Sequence, residues 1–116
     1  MTCRPFFLFF LAAALPVAAS AAPKAESAEE CGIAADMAIV ARSLAQEEVQ
    51  PPKAATIMER IYNVRESQRG TEMMSEIIDA AYRKGAEVTS RSFAEELFMT
   101  CLKTGGNLDL VLGKRL

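Results

Sequence analysis

The residues of this chain most able to do covalent chemistry are its cysteines, Cys3, Cys31 and Cys101. A cysteine nucleophile needs a base beside it, and the sequence contains no histidine, so no Cys/His pair can be built. There is no C-x-x-C redox motif. Two thiolates without nitrogen ligands make a poor zinc site. What remains for Cys31 and Cys101 is a disulfide or a buried small hydrophobe. The carboxylates offer little more. Glu29-Glu30, Glu47-Glu48 and Glu95-Glu96 are sequence neighbours, and on a helix such neighbours diverge rather than converge on one substrate. They read as solvated faces. Gly105-Gly106 is a helix stop and not a phosphate loop. Thioethers can hold Cu(I), and Met37, Met58, Met73, Met74 and Met99 supply them. Three of these, Met37, Met58 and Met74, fall on apolar helix faces, which makes them core fillers. The residue types therefore predict no enzyme, no metal and no cofactor.

The N-terminus bears on the compartment. "MTCRPFFLFFLAAALPVAASAAPK" has one cation, Arg4, then an apolar run from Phe6 to Leu15, then Pro16 and small residues. That is the layout of a secretory signal peptide, with Ala19-Ser20-Ala21 as the cleavage signal. The run is about half of the roughly 20 residues a spanning helix needs, so no stable membrane anchor is expected. The boundaries expected are a signal peptide over 1–21, a flexible lead over 22–28 and a helical domain over 29–116, periplasmic or secreted after cleavage near Ala21. Arg4 and Cys3 leave with the signal. The net charge then moves from −2 to −3, with no basic face for nucleic acid. Two cysteines in an oxidising compartment predict a Cys31–Cys101 disulfide. A loop of about 70 residues closed in this way stabilises by roughly 4.4 kcal/mol in the chain-entropy model.

The elements that must position these residues are helices. "SAEE" at Ser27 to Glu30 is a capping box. The first helix runs to about Glu48, with Ile33, Met37, Val40 and Leu44 on one stripe and Ala34, Ala38, Ala41 and Ala45 on a second. Pro51-Pro52 breaks it and opens a second helix, to about Glu66, with Gly70 as a left-handed cap. A third helix spans about Thr71 to Lys84, closed by Gly85. Met74, Ile77, Ile78, Ala81 and Tyr82 point inward. A fourth, capped by Ser90 or Ser92, runs to about Lys103, with Ala94, Leu97, Phe98, Cys101 and Leu102 on one face. "NLDLVLG" adds one turn, capped by Asn107 and closed by Gly113, that packs over one end of the bundle. Alternating β patterns are absent. The predicted fold is all-α, a four-helix bundle-like domain with a short C-terminal turn and one disulfide. In an up-down-up-down arrangement both cysteines fall at the same end.

Two apolar residues break the pattern. Ile39 and Met99 lie on polar arcs, either as scattered surface hydrophobes or as a candidate partner surface. "CGIAADMAIVARSLA", "IMERIY" and "FAEELFMTCLKTGGNLDLVLG" resemble a group of small uncharacterised exported proteobacterial helical proteins with two cysteines. In format the chain is also similar to small periplasmic acid-stress chaperones of the HdeA type and to periplasmic immunity proteins of contact-dependent toxin systems. Their residue motifs do not match, so no functional residue is carried over. The expected function is non-catalytic protein binding in the periplasm, immunity or chaperone-like. The rival is a carrier of a small apolar ligand, with a pocket inside the bundle near Tyr62, Tyr82 and Phe98.

Overall fold

The computed structural model describes residues 25–113. The signal-peptide and cleavage expectations lie outside the described residues. The chain forms α1 (Ala28–Gln46), α2 (Pro51–Tyr62), α3 (Gln68–Arg83), α4 (Ser90–Lys103) and α5 (Asp109–Leu112). It is all-α, with no strand among the described residues. Four cross-links fix the directions of α1, α3 and α4. Cys31 meets Cys101 at one end of α1 and α4, while Ser43 Oγ lies 2.9 Å from Ser90 Oγ near the other, so these two helices are antiparallel. Arg69 pairs with Glu30 at the starts of α3 and α1, and Arg42 bonds to the end of α3, so these two are parallel. Tyr62, at the end of α2, bonds to Asp36 in the first half of α1, and Val49, just before α2, meets Tyr82 near the end of α3, so α2 runs against both and the result is an up-down-up-down bundle.

α1 is the central helix, touching α2, α3 and α4. Its alanine row is the buried one: Ala34, Ala38 and Ala41 have no exposed surface. Met37 is buried beside them, Val40 and Leu44 pack against the core half-buried, and Ile33 is 42 % exposed. The Ile33, Met37, Val40 and Leu44 stripe is thus only partly inward. The reason lies in the neighbours: Cys31 bonds to α4 and Arg42 to the end of α3, so the long helices close in on the small-residue side. Phe93, Leu97 and Cys101 of α4, Ile77 of α3 and Met58 of α2 complete the core. Leu108, Val111 and Leu112 cover one end, leaving Leu110 exposed.

Several helix boundaries differ from those expected. α1 stops two residues early, because Glu48 turns into positive φ before Pro51. Asn63, in the left-handed region at φ 51°, ends α2, so the helix does not continue to Glu66. Gly70 is then not a cap but part of the first turn of α3, where its N–H donates to Ser67 Oγ at 2.9 Å. Ser67 caps α3, which starts at Gln68 ahead of the start expected at Thr71, whose hydroxyl donates to the Val64 carbonyl. α3 ends at Arg83 and leaves through extended backbone at Lys84, without Gly85 as its closing residue. Thr89, not Ser90 or Ser92, caps α4 by accepting from the Ser92 N–H at 3.0 Å. Wherever Ser, Thr and Asn crowd a boundary, several caps are chemically equivalent and packing selects one.

The expected capping box forms in modified shape. Ser27 Oγ accepts from the Glu30 N–H, but the Glu30 carboxylate accepts from the Glu26 amide rather than from Ser27. The lead expected to be flexible over 22–28 is docked from Ala25 onward. Ala25 is 2 % exposed and its N–H donates to the Gly106 carbonyl at 3.1 Å. Gly106 has φ +99°, and a Cβ there would stand 1.9 Å from the Ala25 carbonyl oxygen. Only glycine fits this crossing.

A candidate binding groove between α2 and α3

The site begins with the helix period. On α2, Pro51, Pro52, Ala55 and Glu59 share one side. On α3, Thr71, Met74, Ser75, Ile78, Asp79 and Tyr82 recur at helical spacing. Together they line a half-open groove of about 410 Å³. Its floor is apolar: Met74 and Ile78 are buried, and Ala55 and Tyr82 are half-buried. Two of its hydroxyls are already committed. Tyr82 Oη donates to the Val49 carbonyl at 2.5 Å, and burial pushes its phenol above the usual range. The Thr71 hydroxyl donates to Val64. Ser75 stands exposed at the edge. The carboxylates of Glu59 and Asp79, with the Ser75 hydroxyl at the edge, are therefore what the groove offers a polar group. Asp79 also lies 3.6 Å from Arg83, one turn along α3.

A second recess of about 250 Å³ lies between the lead and the end of α4. Ala25, Glu26, Cys31, Cys101, Leu102 and Gly106 are among its walls, so it sits on the disulfide. The Cys31–Cys101 bond has S–S 2.04 Å and Cα–Cα 5.7 Å, and its residues are 3 % and 0 % exposed.

Of the residues expected to line a pocket, Tyr82 alone reaches the groove. Tyr62 donates to Asp36 Oδ2 at 2.6 Å, tying the end of α2 to α1, and burial with that bond raises its phenol pKa. Phe98 packs half-buried against the core. Neither Tyr62 nor Phe98 lines this groove or the recess at the disulfide. Ile39 and Met99 are 43 % and 54 % exposed, on α1 and α4, and neither lines the groove. Met37, Met58, Met73 and Met74 are all buried, one more than the sequence pattern placed in the core. Among the described residues no cluster of three or more Cys, Asp or Glu has the spacing to hold a metal ion. None of their helices is long and apolar enough to cross a membrane.

Arg42 is the functional-looking residue that the sequence reading passed over. It is 4 % exposed, yet among the described residues no carboxylate pairs with its guanidinium. Nε donates to the Val88 carbonyl at 2.8 Å, Nη1 to Ala81 at 2.9 Å and Nη2 to Gly85 at 2.6 Å. Those carbonyls lie at the C-terminal end of α3 and in the link to α4, where a cation suits the helix dipole. Its role is to hold that link on α1. The spacing held a signal: Arg42 follows Ala38 by four residues, on the arc that proves buried.

Compared with protein-family models, curated proteins and solved structures, the chain matches none of them.

Proposed function

We propose that this chain is a non-catalytic exported protein whose helical domain binds another protein, in an immunity or chaperone-like role. The observation that supports it is the α2–α3 groove. It is open along one side, with an apolar floor and polar edges, as in recesses that accept side chains from a partner helix. Within it the only titratable groups besides the bonded Tyr82 hydroxyl are Glu59 and Asp79, and no residue there is an evident nucleophile paired with a base. Export to the periplasm rests on residues 1–21 and on the cysteine pair.

Site-specific photocrosslinking tests the reading. A photoreactive side chain replaces Ser75 at the groove edge, Ile39 or Met99 on the exposed arcs, or Glu95 as a control, in the oxidised domain. In periplasmic extract the Ser75 probe should yield a discrete protein adduct at least about tenfold above the Glu95 control, roughly what 1.4 kcal/mol of preferential binding gives. An adduct from Ile39 or Met99 alone would keep the binding role and move it to another surface. No protein adduct from any position, with a small molecule retained in native mass spectrometry, would replace it by the carrier reading. A volume of about 410 Å³, within the usual range for ligand sites, keeps that second reading in view.

A further inference from the structure

We infer that the α2–α3 groove takes a basic amphipathic peptide segment, with apolar side chains on Met74, Ile78 and Tyr82 and a Lys or Arg facing Glu59 and Asp79. This rests on the protein-binding reading and specifies its partner. The volume, about 410 Å³, gives room for a few side chains rather than a whole helix, so the occupant lies along the groove and inserts part of one face. The charge in the lining has one sign. Glu59 and Asp79 face it from the two helices, and neither Lys nor Arg lines it. Arg83 reaches Asp79 at 3.6 Å with both side chains about half exposed, and its Nη2 also donates to the Leu112 carbonyl. No ion pair of Glu59 is present among the described residues. An anion finds little here. The start of α2 that opens on the groove is Pro51-Pro52, which has no amide hydrogen to donate. The hydroxyls of Thr71 and Tyr82 donate elsewhere. Apolar floor and acidic edges together select a cationic amphiphile, and the open side admits it as part of a chain.

The test uses the oxidised domain and a fluorescein-labelled amphipathic peptide of leucines and lysines, about three helical turns long, followed by fluorescence anisotropy. Glu59→Gln with Asp79→Asn should weaken binding by about fivefold or more, as expected for two edge charge pairs. Ser75→Arg, which puts a cation and bulk at the groove edge, should abolish it. Glu95→Gln with Glu96→Gln removes the same charge away from the groove and should change affinity by less than about twofold. The matching peptide with glutamates for lysines should not bind. Equal loss in the two double variants would mean long-range attraction to an acidic protein and would overturn the inference. So would no binding by the wild-type domain, or equal binding of the glutamate peptide. Crosslinking separates this from the broader reading. If Ser75 captures a protein and the capture is unchanged by Glu59→Gln with Asp79→Asn, the partner is not basic and the binding role stands. If no position captures a protein, the binding role itself falls.

Discussion

Arg42 shows how much one side chain can organise. A guanidinium is costly to desolvate unless its donors find acceptors, and here carbonyls at the end of α3 and in the link beyond it take three of its five N–H groups. Removing it takes a donor from each of those carbonyls, leaving Gly85 O with the Val88 N–H and Val88 O with the Gln46 side-chain amide, and loosens the link from α1. Arg42→Met should therefore cost roughly 2–4 kcal/mol in urea unfolding. Arg42→Lys should recover little, because an ammonium lacks the planar fork that reaches three separate acceptors. A loss for Arg42→Met within about 0.5 kcal/mol of zero, the range of ordinary surface substitutions, would show that water serves those carbonyls equally well. The sequence marked this residue only by its place on the α1 arc. Its acceptors lie about forty positions away, in a link whose path no local pattern reveals.

Between elements, polar contacts set register where apolar contacts alone would slide. Arg69 bonds to both carboxylate oxygens of Glu30, at 2.7 and 3.2 Å, and lies 3.4 Å from Glu26, joining the starts of α3 and α1. At the other end of α3, Lys84 Nζ stands 5.3 Å from the ring centroid of Phe93 in α4. The Arg69 guanidinium, with help from the Glu26 amide, holds the Glu30 carboxyl below its ordinary value of 4.5. A lowered carboxylate pKa contributes stability that is fully present above the unfolded value and is lost as pH falls through the folded one. The wild-type domain should therefore be more stable than Glu30→Gln near neutrality. The gap should close as the pH falls from about 5 to about 3. A gap independent of pH would mean that the contact acts through packing or neutral hydrogen bonds. The pairing was not legible beforehand: "SAEE" pointed Glu30 at the Ser27 amide, and the fold gave it Glu26 and Arg69 instead.

For the molecule as a whole, the disulfide is the largest single constraint. It joins residues 70 positions apart, and the entropy model puts its contribution at about 4.4 kcal/mol against a typical domain total of roughly 5–15 kcal/mol. Alkylation of the purified exported protein under denaturing, non-reducing conditions should leave its mass unchanged, while two added alkyl groups would refute the bond. Cys31→Ser with Cys101→Ser should lower the unfolding free energy measured in urea by most of that contribution, without changing the helix content of whatever fraction stays folded.

The sequence by itself determined the helical class, the number of main helices, the apolar face of α3, the Gly105-Gly106 stop and the pairing of Cys31 with Cys101. These follow from local periodicity, from residues with sharp backbone preferences, and from cysteine parity, all of which act over a few turns or need no geometry. On α4 it placed Ala94, Leu97 and Cys101 inward, but Leu102, expected beside them, is 43 % exposed and Phe93 is buried instead. The tertiary structure decided which of two rows on α1 is buried, which of several Ser, Thr and Asn residues cap, and where Arg42 finds its acceptors. It also docked Ala25 against Gly106. The groove belongs to that second group. Its α3 wall, Met74, Ile78 and Tyr82, was predicted to point inward, but its α2 wall of Pro51, Ala55 and Glu59 carries no apolar period. A groove exists only where two helices fail to close on each other. That failure is set by their separation and crossing, which depend on every side chain between them and not on any one stretch of chain.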